Sequence, residues 1–229
     1  MKSAIYFLIM LLSACATQKS TVQSQNNNAQ SFDQMLELGI QNIYTHSPRT
    51  AINSYFEPMI AQCLKKYPHD QKVYAARSLE ESLFYMAHSA ANNENAIVVE
   101  PFCADAHFFK AFSLVELNEF DEAKAEYLKA LEMSPENSIY RSELGNVYQS
   151  LKDWDNALKT FTKAEESAQS WSPDPQKDKE LARAKRGIAF SLTELGKLDE
   201  ADKKYQECLT IDKDDQKAKD ELQYIQSLR

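Results

Sequence analysis

The chain has 229 residues, only four of them glycine, and a formal net charge of −8. Strands joined by tight turns usually need more glycine, and Ala, Leu, Glu, Lys and Gln are good helix formers, so we expect an all-α protein. The acidic balance argues against a nucleic-acid partner, because phosphate binding needs a basic face. Neither GxGxxG nor GxxxxGK[ST] occurs in the sequence, which excludes the commonest nucleotide-binding loops.

Residues 1–14 predict a signal peptide. Lys2 precedes nine apolar residues, 4–12, which would rise only about 13 Å as a helix, against about 30 Å for a bilayer core. The segment ends in "LSAC", which resembles the lipobox of bacterial lipoproteins. That resemblance implies cleavage before Cys15 and lipidation of its thiol with palmitate-type chains, two or more of which anchor stably. Ala16 at the next position implies sorting to the outer membrane, on the periplasmic side; an ordinary signal peptide with an incidental cysteine is the alternative.

Residues 15–31 predict the lipidated cysteine followed by a flexible tether. The stretch "ATQKSTVQSQNNNAQS" is polar and low in complexity, so it buries too little apolar surface to fold. Such a tether spans roughly 20–24 Å, which would hold the folded part near the membrane without pressing it onto the surface.

Three short segments upstream and in the middle of the chain share a small residue, a branched apolar residue and a closing proline. They are "CLKKYP" at 63–68, "AIVVEP" at 96–101 and "ALEMSP" at 130–135. Successive segments are separated by about the length of one helical hairpin, which predicts a helix pair at 32–68 and a second at 69–102.

A stronger repeat follows, with a period of 34 residues between its first two copies. "AFSLVELNEFDEA" at 111–123 aligns with "GNVYQSLKDWDNA" at 145–157 and with "AFSLTELGKLDEA" at 189–201. These copies predict helical hairpins at 103–137, 138–171 and 180–214. The recurring positions hold small residues and one aromatic residue: Ala111, Gly145, Ala189; Ala123, Ala157, Ala201; Tyr127, Phe161, Tyr205; Ala130, Ala164, Cys208.

This pattern resembles the tetratricopeptide repeat, in which two antiparallel helices approach closely where side chains are small and an aromatic ring fills the space beside them. The resemblance implies an α-solenoid of about five repeats over 32–228. Since stacked repeats need a polar terminal element, residues 215–228 are interpreted as the C-terminal capping helix. The ten extra residues around 169–179 contain Pro173 and Pro175, which predict a loop between repeats.

In this family the first helix of each repeat lines a concave groove, which implies a site for a partner protein. The family positions predict these groove residues: Tyr74, Phe108, Phe112, Val115, Asn146, Arg183, Arg186 and Phe190. Alternatively, the aromatic rings pack against neighbouring repeats. The residues Asn146, Arg183 and Arg186 also partly match a clamp for a C-terminal carboxylate, although Ser142 stands where a lysine would help.

Cysteine and histidine give no catalytic or metal signature. Cys63 and Cys208 occupy small-residue packing positions, which favours buried thiols, with a Cys63–Cys103 bridge as the alternative in an oxidising compartment. No histidine pair has metal-ligand spacing and no GxSxG elbow occurs, so we expect no metal, no cofactor and no enzyme activity.

The sequence therefore predicts a non-catalytic protein-interaction scaffold, anchored in the outer membrane through Cys15. In layout it resembles tetratricopeptide lipoproteins that serve type IV pilus or outer-membrane assembly machinery, which implies a protein partner in the cell envelope. The alternatives are a periplasmic enzyme of unrecognised type and a cytoplasmic tetratricopeptide co-chaperone.

Overall fold

The computed structural model describes residues 31–67 and 70–229. The predicted signal peptide, the lipidation site Cys15 and nearly all of the tether lie outside these residues. The helices and strands, in chain order, are α1 (Phe32–Tyr44), α2 (Pro48–Ala51), a π-helical turn (Ile52–Phe56), α3 (Glu57–Lys66), β1 (Lys72–Ala75), α4 (Leu79–Ala91), β2 (Ala96–Val99), α5 (Phe102–Glu116), α6 (Phe120–Met133), α7 (Ser138–Ser150), α8 (Trp154–Trp171), α9 (Lys177–Glu194), α10 (Leu198–Ile211) and α11 (Gln216–Ser227).

The three C-terminal hairpins, α5–α6, α7–α8 and α9–α10, are built on the recurring small residues. These positions are buried, with no measurable exposure at the alanines of all three copies. Phe161 shows why they must be small: a Cβ at Gly145 would lie 2.6 Å from its ring, and one at Gly187 2.3 Å. Such distances are far inside van der Waals contact, so one aromatic ring wedges between the first helices of two successive repeats. The predicted solenoid packing is confirmed.

The first hairpin pairs α1 with the continuous segment from α2 to α3. The same packing rule applies, because a Cβ at Gly39 would meet the Phe56 ring at 2.4 Å. Phe56 in turn stacks on Phe109 of α5, with ring centroids 6.1 Å apart. This first hairpin therefore stacks directly on α5–α6.

The prediction of a second helix pair at 69–102 is wrong. Strands β1 and β2 pair in parallel, from Lys72 opposite Ala96 to Ala75 opposite Val99, and α4 is the crossover between them. The β-branched run in "AIVVEP", which the period matched to a repeat end, favours a strand. We call residues 70–101 the insertion.

The insertion packs along the connections between hairpins. Ser134, in the α6–α7 connection, donates a hydrogen bond to the Ala75 carbonyl, and the Glu136 backbone N–H donates to the Tyr85 hydroxyl at 3.1 Å. Phe84 lies against Trp171 at the end of α8, with centroids 4.3 Å apart. The insertion therefore braces one edge of the solenoid.

A buried ion cluster fixes the same edge. The Arg77 guanidinium lies 2.7 Å from the Glu81 carboxylate and 3.2 Å from that of Glu180, on α9. Glu180 also accepts hydrogen bonds from the hydroxyls of Ser138 and Ser172. Both carboxylates are buried, so the shared guanidinium and hydroxyls compensate for their lost hydration.

A disulfide bond joins Cys63 of α3 to Cys103 of α5, so the bridge rather than a free thiol is present at Cys63. The bond closes a loop at the base of the insertion and links the first hairpin to the hairpin α5–α6. Cys208 is a buried free thiol, as expected, and burial raises its pKa to about 12, which favours the protonated thiol.

We expect Ala123→Leu to lower the free energy of unfolding by about 1–3 kcal/mol, because the added carbons overpack a contact without free space. Urea unfolding measures the change. Ala125, exposed on the same helix, is the matched control, and Ala125→Leu should leave stability nearly unchanged. Equal stability of the two variants would contradict the packing described above.

We expect the double variant Cys63→Ser, Cys103→Ser to lose about 4 kcal/mol of stability, from the entropy gained by an unfolded chain without the closed loop; the cysteines are 40 residues apart. Urea unfolding with and without reductant tests this. Reductant should destabilise the wild-type chain to the level of the variant and leave the variant unchanged. Equal urea midpoints for the oxidised wild type and the variant would refute the prediction.

Candidate partner-binding groove

A groove opens on the concave side of the C-terminal hairpins, between α7, α9 and α11. Its volume is about 390 Å³. Helical spacing brings its side chains to one face, since residues three and four apart are neighbours on a helix. The lining residues, which we call the C-terminal groove, are Glu143, Asn146, Gln149, Arg183, Arg186, Gly187, Phe190, Tyr205, Lys217 and Glu221.

Both groove arginines are already paired within the chain. Arg183 forms an ion pair with Glu143 of α7, and the Asn146 amide donates to the same carboxylate at 2.9 Å. Arg186 forms an ion pair with Asp215, at the start of α11. The arginines are therefore held in position, and a ligand would meet salt bridges rather than free cations.

The floor of the groove is polar at one side and aromatic at the other. The Gln149 amide donates to the Gly187 carbonyl at 3.0 Å and to the Ser191 hydroxyl at 3.1 Å, which ties α7 to α9. Phe190 is half-buried, edge-on to Trp154 at 6.1 Å. Tyr205 is buried, and this burial raises the pKa of its hydroxyl, so it stays neutral.

The capping helix supplies the far wall. Lys217 is exposed there, and Glu221 is half-buried, with its pKa raised by burial and by the neighbouring acids Asp220 and Glu194. The wall thus presents one cation and one carboxyl group, and the whole groove carries both signs of charge around the half-buried Phe190 ring.

The structure brings together four of the predicted groove residues, Asn146, Arg183, Arg186 and Phe190. The other four lie elsewhere. Tyr74 is on β1, 2% exposed, and stacks on Tyr85 at 5.0 Å. It lines no groove because the expected helix there is a strand.

The three predicted residues of α5 also pack internally. Phe108 is 8% exposed and stacks on Tyr140 at 4.7 Å, while Val115 packs against the same core. Phe112 packs against the first hairpin. These side chains therefore pack against neighbouring repeats, which was the alternative interpretation of the sequence. They do so because the first hairpin stacks directly on α5.

Among the charged residues of the groove, sequence reasoning missed Glu143, Lys217 and Glu221. A signal for Lys217 was present, since it follows Arg183 by one 34-residue period. Interpreting residues 215–228 only as a cap overlooks this signal, whereas continuing the repeat register into α11 places Lys217 in the groove.

A second cavity, of about 520 Å³, lies at the base of the insertion beside the disulfide. Its lining is largely apolar and includes Ile60, Leu64, Val73 and Met133. Within residues 31–67 and 70–229 no cluster of three potential metal ligands occurs, and none of the helices described there is long and apolar enough to cross a bilayer.

Stacked helical hairpins with a capping helix and a concave groove define an α-solenoid, a class of protein-interaction modules. Family models described as "Tetratricopeptide repeat" match residues 104–137 and 135–214. Residues 104–214 therefore consist of tetratricopeptide repeats, as the spacing of small residues predicted.

Similar solved structures share this fold. A structure titled as the functional characterisation of Pseudomonas aeruginosa pilF is 16% identical with a TM-score of 0.58, over 85% of this chain and 67% of that one. A MamA RS-1 ArsTM double mutant is 13% identical with a TM-score of 0.54, over 85% and 82%. The first tetratricopeptide domain of Spaghetti (RPAP3), bound to an HSP90 peptide, is 22% identical with a TM-score of 0.50, over 57% and 95%. A search of curated proteins finds no significant match.

We expect Asp215→Ala to loosen α11. The Asp215 carboxylate accepts from the Ala218 backbone N–H at 3.2 Å as the helix N-cap and pairs with Arg186, so its loss should cost about 1–2 kcal/mol. Hydrogen exchange of the α11 amides should accelerate. Asp214→Ala is the control, because that neighbouring side chain is almost fully exposed. Unchanged exchange in Asp215→Ala would contradict this role.

Proposed function

We propose that the protein is a non-catalytic scaffold whose C-terminal groove binds an extended segment of another protein. The observation that carries this proposal is the groove itself: two arginines held by ion pairs, an amide and a half-buried aromatic ring on the concave face of stacked repeats. Preformed side chains lose little conformational freedom when a ligand binds. The tetratricopeptide fold is generally a non-catalytic interaction module, which supports the same conclusion.

The groove chemistry suggests what the segment contains. Ser142, at the position of a clamp lysine, is buried, and both arginines have internal carboxylate partners. A free carboxylate terminus would therefore find neither the clamp lysine nor an unpaired arginine. Phe190 offers an apolar contact, while Lys217 and Glu221 offer one charge of each sign. We infer a segment with one apolar anchor flanked by polar or oppositely charged side chains. The bound HSP90 peptide in the RPAP3 domain is a precedent on this fold for linear segments.

We place this activity in the cell envelope, with the chain anchored to the outer membrane through a lipid on Cys15 and assisting assembly of an envelope complex. The "LSAC" segment supports the anchor. The Cys63–Cys103 disulfide supports an oxidising compartment such as the periplasm and argues against a cytoplasmic co-chaperone. Type IV pilus or outer-membrane assembly machinery is the expected setting.

Affinity capture from envelope extracts tests the groove. We expect Phe190→Ala with Lys217→Glu to reduce recovery of the bound protein at least about tenfold, equivalent to about 1.4 kcal/mol. The control, Leu151→Ala with Lys159→Glu, removes one apolar and one basic side chain outside the groove and should bind like the wild type. Equal capture by all three chains would refute groove binding.

Incorporation of labelled palmitate in cells tests the anchor separately. Label should be lost in Cys15→Ala, and that variant should leave the membrane fraction. Retained label would remove the lipoprotein assignment without affecting the groove. Turnover of cell-wall polymer by the purified chain would instead favour the enzyme alternative.

A further inference from the structure

The buried ion cluster between the insertion and the solenoid contains more carboxylates than cations. Arg77, in the turn after β1, pairs with both Glu81 of α4 and Glu180 of α9. These two carboxylates are 0% and 5% exposed, so little water screens their charges. One guanidinium therefore serves two buried negative charges.

A third acid, Asp105 of α5, lies beside this cluster without a cation in contact. Within residues 31–67 and 70–229, its carboxylate has one hydrogen-bond partner, the hydroxyl of Tyr140, on a side chain that is 3% exposed. Burial raises the pKa of Asp105 to about 6, although the Tyr140 hydrogen bond and the positive charge of Arg77 oppose this shift. The position therefore favours the neutral acid.

The groups that face Asp105 come from the elements packed around it. α7 contributes Tyr140, and the insertion contributes Arg77. Glu81 of α4 acts on the same Tyr140 hydroxyl, while Glu180 of α9 reaches the site through Arg77. With all three acids ionised, the site would hold two more negative charges than positive ones, and a proton on Asp105 removes one of them.

The next charged side chains of α5 are paired with other elements. His107 lies 2.6 Å from the Glu126 carboxylate of α6, and Lys110 lies 3.3 Å from that of Glu57, at the start of α3. Neither side chain therefore compensates the charge of Asp105.

We propose that Asp105 makes the docking of the insertion on the solenoid sensitive to pH, with firm docking when Asp105 is neutral and looser docking when it is ionised. The cluster is the place where the insertion meets α5, α7 and α9. An added negative charge there repels carboxylates on both sides of the contact, so it weakens the attachment of the insertion.

The direction of the effect follows from the linkage between protonation and docking. Asp105 binds its proton more tightly in the docked state, with a pKa of about 6, than in an undocked, hydrated state, where an aspartate has a pKa of about 3.9. The added stability is fully present below about pH 4 and is lost as the pH rises to about 6. The whole change corresponds to a roughly 100-fold fall in the ratio of docked to undocked chains.

Hydrogen exchange of the full chain carrying Cys15→Ser, corrected for the intrinsic exchange rate, tests the proposal between pH 4 and pH 7. Protection of the α4 amides should fall about 50-fold over this range. In Asp105→Asn it should stay constant, because asparagine resembles the neutral acid and still accepts from Tyr140. The α10 amides are the internal control, since α10 packs on α9 and α11. Equal losses in α4 and α10, or parallel profiles for the parent and Asp105→Asn, would overturn the proposal.

Asp214→Asn is the matched control, at an almost fully exposed side chain, and its α4 amides should depend on pH as in the parent. Loss of the pH dependence in this control would contradict the role of Asp105. Carbon-13 NMR of the Asp105 carboxyl group is a second measurement, which needs no substitution at the site. Its titration midpoint should lie near pH 6, and a midpoint near pH 4, typical of a hydrated aspartate, would refute the proposal even if Asp105→Asn fails to fold.

Discussion

The close approach of helix backbones around a few aromatic rings is the constraint on which the rest of this structure depends. Phe161 fills the space where Gly145 and Gly187 have no side chain, and Phe56 does the same beside Gly39. Protein interiors are packed as densely as organic crystals, so even one added carbon atom strains the side chains around it. This repeated wedge sets the spacing of α7 and α9, and hence the width of the groove between them.

The groove follows from that spacing together with paired charges. Glu143 and Asp215 hold the two arginines from opposite walls, which links the capping helix to the preceding repeat. Partly exposed ion pairs contribute little stability, so their main consequence is geometric: they fix the direction of the two arginine side chains. The cap is thus part of the groove lining as well as the end of the solenoid.

The insertion gives this solenoid a second surface. Its parallel strands and α4 brace the inter-hairpin connections through Arg77 and Phe84, and the disulfide closes its base. One side of α4 therefore stabilises the fold, while the other leaves an apolar stripe exposed.

The sequence by itself determined the hairpins at 103–214, because helix packing demands small residues at a fixed interval and that interval is visible in the letters. It also predicted that Asn146, Arg183, Arg186 and Phe190 share one face, since their positions follow from the helix register, and these four residues do line one groove. Only the tertiary structure decided which secondary structure residues 69–102 adopt. A short β-branched run ending in proline is compatible with either a strand or a helix end, and the choice depends on the elements beside it. The same holds for Phe108 and Tyr74, since whether a ring lines a groove or a core depends on which element stacks against it. It also holds for Cys63 and Cys103, which meet only because the insertion loops out between them.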